Sequence, residues 1–265
     1  MVQNKILFLF ANPQGTQQLD QDKEYTAVRD GVLSARFRND FELDQLRQVS
    51  LSRLRSELSE FQPQIVHFSG HGTEDGILLF QDKTDGAAEW APTEAIADLF
   101  RIHNADKSRT SDKKIRLVIL SACYSDALAQ KLKQFVDFVI GMKNAVLDTV
   151  AIDFAKEFYS QLAYGSSVQT AFESGKNAIA VAKISGQEIP ELQTTKDASS
   201  ISFAGDGSDG SSNGGSEQTP FLDSLRQQLA IHQRNLQDYN IELASYGGRD
   251  VPVKLLRDID YTKEQ

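Results

Sequence analysis

The sequence predicts an α/β fold, a mainly parallel sheet with helices on both faces, followed by a flexible linker and a C-terminal helical hairpin. Short β-branched apolar runs of strand length alternate with amphipathic stretches whose apolar residues recur every three or four positions. Two of the runs, in IVHFSGHG at Ile65–Gly72 and IRLVILSACYS at Ile115–Ser125, lack polar alternation, as strands covered on both faces do. The alternation ends at GDGSDGSSNGGS, residues 205–216, which is too poor in apolar groups to order itself. The expected boundaries are 1–205 for the α/β domain, 206–219 for the linker and 220–265 for a helical interaction segment.

Lys5–Ala11 reads as a buried first strand ended by the turn-forming Asn12-Pro13-Gln14-Gly15. Tyr25, Val28, Val32 and Ala35 mark an amphipathic helix over Glu24–Phe37, and Phe41–Leu46 alternates as a half-buried strand. Ser50 is placed to cap a helix carrying Leu51, Leu54 and Leu58, and Pro63 precedes the strand that ends at the histidine loop. Ile77–Phe80 and Ala87–Trp90 flank Asp85-Gly86 as a hairpin, and Pro92 opens a helix reaching about Ile102. Asn104–Lys114 is polar and expected to be exposed, His103 with it. A short helix over Asp126–Lys133 follows Cys123, then a strand over Phe135–Met142. Asp148 is placed to cap a helix that Gly165 stops, Ser166 with Gln169 spells a capping box for the next, and Ile201–Ala204 reads as a last short strand. Beyond the linker, Leu222, Leu225, Leu229, His232, Leu236, Tyr239 and Leu243 follow a 3,4 repeat. Gly247-Gly248 ends that helix and Pro252 starts a shorter one carrying Leu255, Leu256 and Ile259. Two such helices bury little alone, so residues 220–265 are expected to dock on a regulatory partner protein, on a second copy or on the α/β domain.

At 265 residues the chain can bury a substantial core. A net charge of −9 gives no reason to expect nucleic acid or an anionic membrane as partner. The single cysteine excludes an internal disulfide framework and fits a reducing cytosol, and no apolar run approaches a membrane span, so a cytoplasmic location is expected.

If the strands ending in Ser69-Gly70-His71-Gly72 and Ser121-Ala122-Cys123 are parallel neighbours, an imidazole and a thiol emerge at one sheet edge, where α/β folds gather ligand-handling groups. A histidine within reach can take the thiol proton and later protonate a leaving amine. Gly70 and Gly72 keep the loop free of Cβ atoms, and the backbone N–H groups of Gly72 and Cys123 are the candidate oxyanion donors. Taken singly, each residue has a plain alternative: a buried cysteine is usually a small core residue and a buried histidine a hydrogen-bonded structural one.

His71-Gly72 and Ala122-Cys123 together resemble the motifs of the CHAT domain, a bacterial branch of the caspase-like cysteine peptidases related to separase. The likeness extends to KILFLFANP at Lys5–Pro13 and FYSQLAYGSSVQTA at Phe158–Ala171, over about the first 205 residues. The resemblance implies a caspase-like fold and a cysteine endopeptidase using His71 and Cys123 on a protein substrate, without a cofactor, in a regulated bacterial defence or cell-death module. It also implies that Asp148, or less directly Asp75, lines the pocket for the residue before the scissile bond and favours a basic side chain there. Ser125 stands where caspases have glycine, which argues against aspartate specificity. The competing reading is a caspase-like scaffold without activity. His67 lies four residues before His71, but with Cys123 these make only three zinc ligands and no fourth is evident, so no metal is expected and His67 reads as a buried strand residue.

Overall fold

The computed structural model describes residues 4–205 apart from 83 and 184. The linker and the helical segment expected over 206–265 lie outside the described residues. The elements in chain order are β1 (Asn4–Phe10), α1 (Gln21–Ser34), β2 (Phe41–Leu46), α2 (Leu51–Phe61), β3 (Ile65–Ser69), β4 (His71–Gly72), β5 (Leu78–Gln81), β6 (Ala88–Ala91), α3 (Thr93–Ala105), β7 (Leu117–Ser121), α4 (Asp126–Leu132), β8 (Phe138–Met142), α5 (Asp148–Ala163), α6 (Val168–Val181) and β9 (Pro190–Thr194).

Six strands form one sheet in the order β2-β1-β3-β7-β8-β9, parallel except for β9, while β4, β5 and β6 make a small antiparallel sheet. The unbroken apolar runs follow from coverage of both faces. Ile6, Phe8 and Phe10 of β1, Ile65 of β3 and Leu117 and Ile119 of β7 join a core with α1, α5 and α6. Their neighbours Leu7, Leu9, Val66, Phe68, Val118 and Leu120 join a second core with α2, α3, α4 and the β5–β6 hairpin. Each buried leucine- or phenylalanine-sized side chain contributes about 1.5–3 kcal/mol, so neither face tolerates exposure. No helix among the described residues is long and apolar enough to cross a membrane.

Several expected details differ. The sheet closes with β9, antiparallel to β8, whereas residues 201–204 contribute only an isolated bridge between Ser202 and Ser167. Half-polar PELQT suits an edge strand and carries no buried run to signal it. The cap of α6 is Ser167, whose side chain accepts from the Thr170 N–H, while Ser166 bonds Gln161, so the cap lies one residue later than expected and the Ser166–Gln169 capping box does not form. Asp148 is the first helical residue of α5 and Leu147 its cap, with no side-chain cap bond. Helix α3 runs on to Ala105: Asn104 fastens its end to the Ile115 and Phe135 carbonyls, and His103 is 7% exposed rather than solvated.

Candidate active site

Strands β3 and β7 are hydrogen-bonded parallel neighbours, and their last residues, Ser69 and Ser121, are paired in register. His71 and Cys123 each lie two residues further on, so they leave the same edge of the sheet at the same height. The Gly70 N–H donates to the Ser121 carbonyl at 3.2 Å, which carries the pairing one step past the strand end. The two loops then close on one another. A Cβ at Gly72 would stand 2.0 Å from the Cys123 carbonyl oxygen, an approach open only to glycine. The turn after β4 also packs on the segment following Cys123, since a Cβ on Gly76 would meet Ala127 at 3.0 Å and the Tyr124 oxygen at 3.4 Å.

Cys123 is half-buried, and its sulfur accepts the Val146 N–H at 3.4 Å, with the Val146 carbonyl at 3.9 Å. That ties the thiol to the loop between β8 and α5. Tyr124 follows in the left-handed region (φ 54°), a conformation that non-glycine residues adopt at some cost and that turns the chain sharply after the cysteine. Ser125 is fully buried: its hydroxyl donates to the Leu120 carbonyl and accepts the Met142 N–H, both at 2.9 Å, so it pins the start of α4 across β7 and β8.

His71 is half-buried, and its Nε2 has no hydrogen-bond partner. Burial pulls the imidazole below its ordinary range, against the opposing pulls of the Gln17 backbone and the Asp148 charge, so the ring is neutral and able to accept a proton near pH 7. Catalytic hydrogen bonds commonly tighten only when substrate arrives, so the Sγ contact with Val146 is compatible with a later Sγ–Nε2 contact.

The two candidate oxyanion donors, the Gly72 and Cys123 N–H groups, sit in different backbone surroundings. Thr73 donates to Ile77, so the antiparallel ladder puts the next pair, Gly72 with Leu78, at a non-hydrogen-bonded position and leaves the Gly72 N–H unused by the hairpin. The Tyr124 N–H goes to the Asn144 carbonyl, which leaves that of Cys123 as the nearest alternative in its loop.

Asp148 lies within electrostatic reach of His71, and its Oδ2 accepts the Asp20 N–H at 3.0 Å. Burial, then the charges of Glu24 and Asp20, raise its carboxyl above the usual range. Asp75 is exposed in the turn between β4 and β5, where it lines a cavity of about 410 Å3 with Trp90, Pro92 and Lys131. His67 is fully buried and has both nitrogens occupied, Nε2 by Glu24 at 3.1 Å and Nδ1 by the Tyr159 hydroxyl at 3.3 Å. Among the described residues no three His, Cys, Asp or Glu side chains gather as a metal site. Glu24, Gln17 and Val146 were not anticipated from the sequence. Glu24 was findable: it continues the four-residue spacing of Val28 and Val32, which puts a carboxylate on the buried stripe of α1.

The chain matches the family model described as the CHAT domain over residues 2–190. It is 28% identical over 176 residues to a Roc-COR-CHAT protease of an unknown prokaryotic organism, covering 66% of this chain and 16% of that protein. It is 26% identical over 181 residues to a probable protease of Gillisia limnaea, covering 68% of this chain and 31% of that protein. Thus the chain spans less than a third of either relative's length. Among solved structures, caspase-1 from Spodoptera frugiperda aligns with a TM-score of 0.47 and 12% identity over 73% of this chain and 86% of that one, a likeness too slight to argue from. The match over residues 2–190, which takes in both strand-end motifs, is what assigns the chain: it belongs to the CHAT domain family.

Proposed function

We propose that this chain is a cysteine endopeptidase in which Cys123 is the nucleophile and His71 the base and then the acid. The observation that carries the reading is the register of Ser69 with Ser121, which delivers both side chains to one sheet edge with Gly72 against Cys123. His71 Nε2 takes the Sγ proton as sulfur attacks the scissile carbonyl carbon. The resulting oxyanion is held by the Gly72 and Cys123 N–H groups. The C–N bond then breaks as the imidazolium returns its proton to the departing amine, leaving a thioester. Water, deprotonated by His71, hydrolyses the thioester and frees the thiol.

Asp148 is the residue proposed to select a basic side chain before the scissile bond, since it is the carboxylate that couples to His71. Asp75, exposed in its turn, is the weaker alternative. In both relatives the matched region is a minor part of a longer protein, which supports a peptidase module working under the control of other segments, as in a defence or cell-death system.

The test is a peptide library scored for cleavage by the wild-type chain, by Cys123→Ala and by His71→Ala. Each substitution should abolish cleavage while leaving the melting temperature close to wild type, and the double variant should be no worse than either single one. Cleavage surviving in either variant would remove the dyad. A wild-type chain that cleaves nothing, with a thiol no faster than a free one, would leave the scaffold reading.

A further inference from the structure

Helix α1 enters beneath the strand ends and brings two polar side chains into the interior. Gln21 donates to the Ala11 and Ser69 carbonyls at 3.2 and 3.0 Å, tying β1 to β3. One turn later, Glu24 is 1% exposed and its Oε1 receives His67 Nε2 of β3 and the Ser121 hydroxyl of β7, each at 3.1 Å. His67 stacks on Phe8 with ring centroids 4.7 Å apart, and Tyr159 bonds its far nitrogen, so the imidazole that faces Glu24 is itself held.

The position of these bonds matters more than their number. Ser69 and Ser121 are the paired last residues of β3 and β7, each two residues before a member of the dyad. Through His67, two residues before Ser69, and through Ser121, one carboxylate therefore bridges β3 and β7 beside the ends from which His71 and Cys123 depart. The buried hydrogen-bonded pair of Glu24 and His67 adds little net stability, because desolvation offsets much of the attraction. The same pair is a stiff spacer, because every group around it is buried and hydrogen-bonded.

We propose that Glu24 is a positioning residue for the dyad: through His67 and Ser121 it sets the separation of β3 and β7 near their ends, and so the approach of His71 to Cys123. The proposal rests on the peptidase reading above. Besides His67, the titratable groups in reach of Glu24 are Tyr159 and Asp148, both on α5. Burial and His67 act on Glu24 in opposite directions, and the balance with the hydroxyl donors keeps it ionised.

The cysteine is unique, so its carboxamidomethylation by iodoacetamide, followed by mass spectrometry on the full chain, reads one thiol. Rates are compared near pH 7, where the thiol needs a base, and at about pH 9.5, where it ionises unaided. Glu24→Gln should slow the reaction about 10-fold near pH 7 and leave it at the wild-type rate at the higher pH. Ser121→Ala, which cuts the link to β7 but leaves the Glu24–His67 hydrogen bond, should show a smaller loss of the same kind. Val32→Ala, a core cavity further along α1, should lower the melting temperature and leave both rates unchanged. Wild-type rates in Glu24→Gln and Ser121→Ala, or an equal slowing in Val32→Ala, would overturn the proposal. His71→Ala separates the two claims: a slowing there with none in Glu24→Gln removes only the positioning role, whereas no slowing there removes the dyad and its positioning together.

Discussion

Adding one methyl group at Gly72 tests the arrangement at its tightest point. The Cβ of Gly72→Ala would lie 2.0 Å from the Cys123 carbonyl oxygen and 3.1 Å from its carbon, and both atoms are backbone, so no side chain can swing aside. Real Cβ atoms essentially never approach closer than 3.0 Å, so the two loops must part by about 1 Å. Overpacking of this kind costs about 1–3 kcal/mol. In a domain of about 200 residues that lowers the melting temperature by about 2–12 °C. A displacement of about 1 Å between nucleophile and base costs up to about 100-fold in rate. The assays are thermal unfolding and alkylation of Cys123 near pH 7. The control is Gly175→Ala, whose Cβ would meet the Phe154 ring at 2.8 Å between α5 and α6: it should unfold earlier but alkylate normally. Wild-type melting and reactivity in Gly72→Ala would show that the loops do not meet as described. Equal slowing in Gly175→Ala would show that loosening anywhere suffices.

Two other outcomes follow from charges near the site and far from it. Asp148→Asn keeps an oxygen to accept the Asp20 N–H but removes the charge, so cleavage after Lys or Arg should fall at least about 10-fold relative to other residues, with little change in melting temperature; unchanged selectivity in the peptide library would return Asp148 to a structural role. His103 is held down to about 4, chiefly by burial and then by the Arg109 charge, so between that value and its ordinary 6.5 the unfolded chain binds the proton and the folded chain does not. Stability should therefore rise with pH across that window and be lost as pH falls through it, and urea titrations of His103→Gln should show a shallower slope than wild type; an equal slope would mean that the imidazole titrates normally.

The sequence made legible those features that depend on burial along one direction. Unbroken runs such as LFLF, IVHF and LVIL marked strands covered twice, and the equal distance of His71 and Cys123 from their strand ends placed both at one edge. Features set by tertiary pairing were hidden. The half-polar segment that became β9 has no run of its own and is a strand because β8 offers it an edge. His103 looked solvated because its neighbours in sequence are polar, yet α3 continues beneath them and turns it inward. Ser125 drew notice only as a departure from a glycine, while its two hydrogen bonds show a hydroxyl needed to join β7, α4 and β8.

The polar residues of the sheet interior follow a single logic once the faces are separated. Along the α1–α5 face, β3 presents Ile65, His67 and Ser69, and β7 presents Leu117, Ile119 and Ser121, so polarity increases toward the carboxyl edge. A purely apolar edge would leave the loops of His71 and Cys123 resting on side chains that pack without direction. Hydrogen bonds have direction, and here they converge on one carboxylate from α1. The cost of burying Glu24 is contained because His67 and the Ser121 hydroxyl meet it. The apolar part of each strand thus fixes that the sheet forms, while its last polar residues fix where the loops of His71 and Cys123 begin.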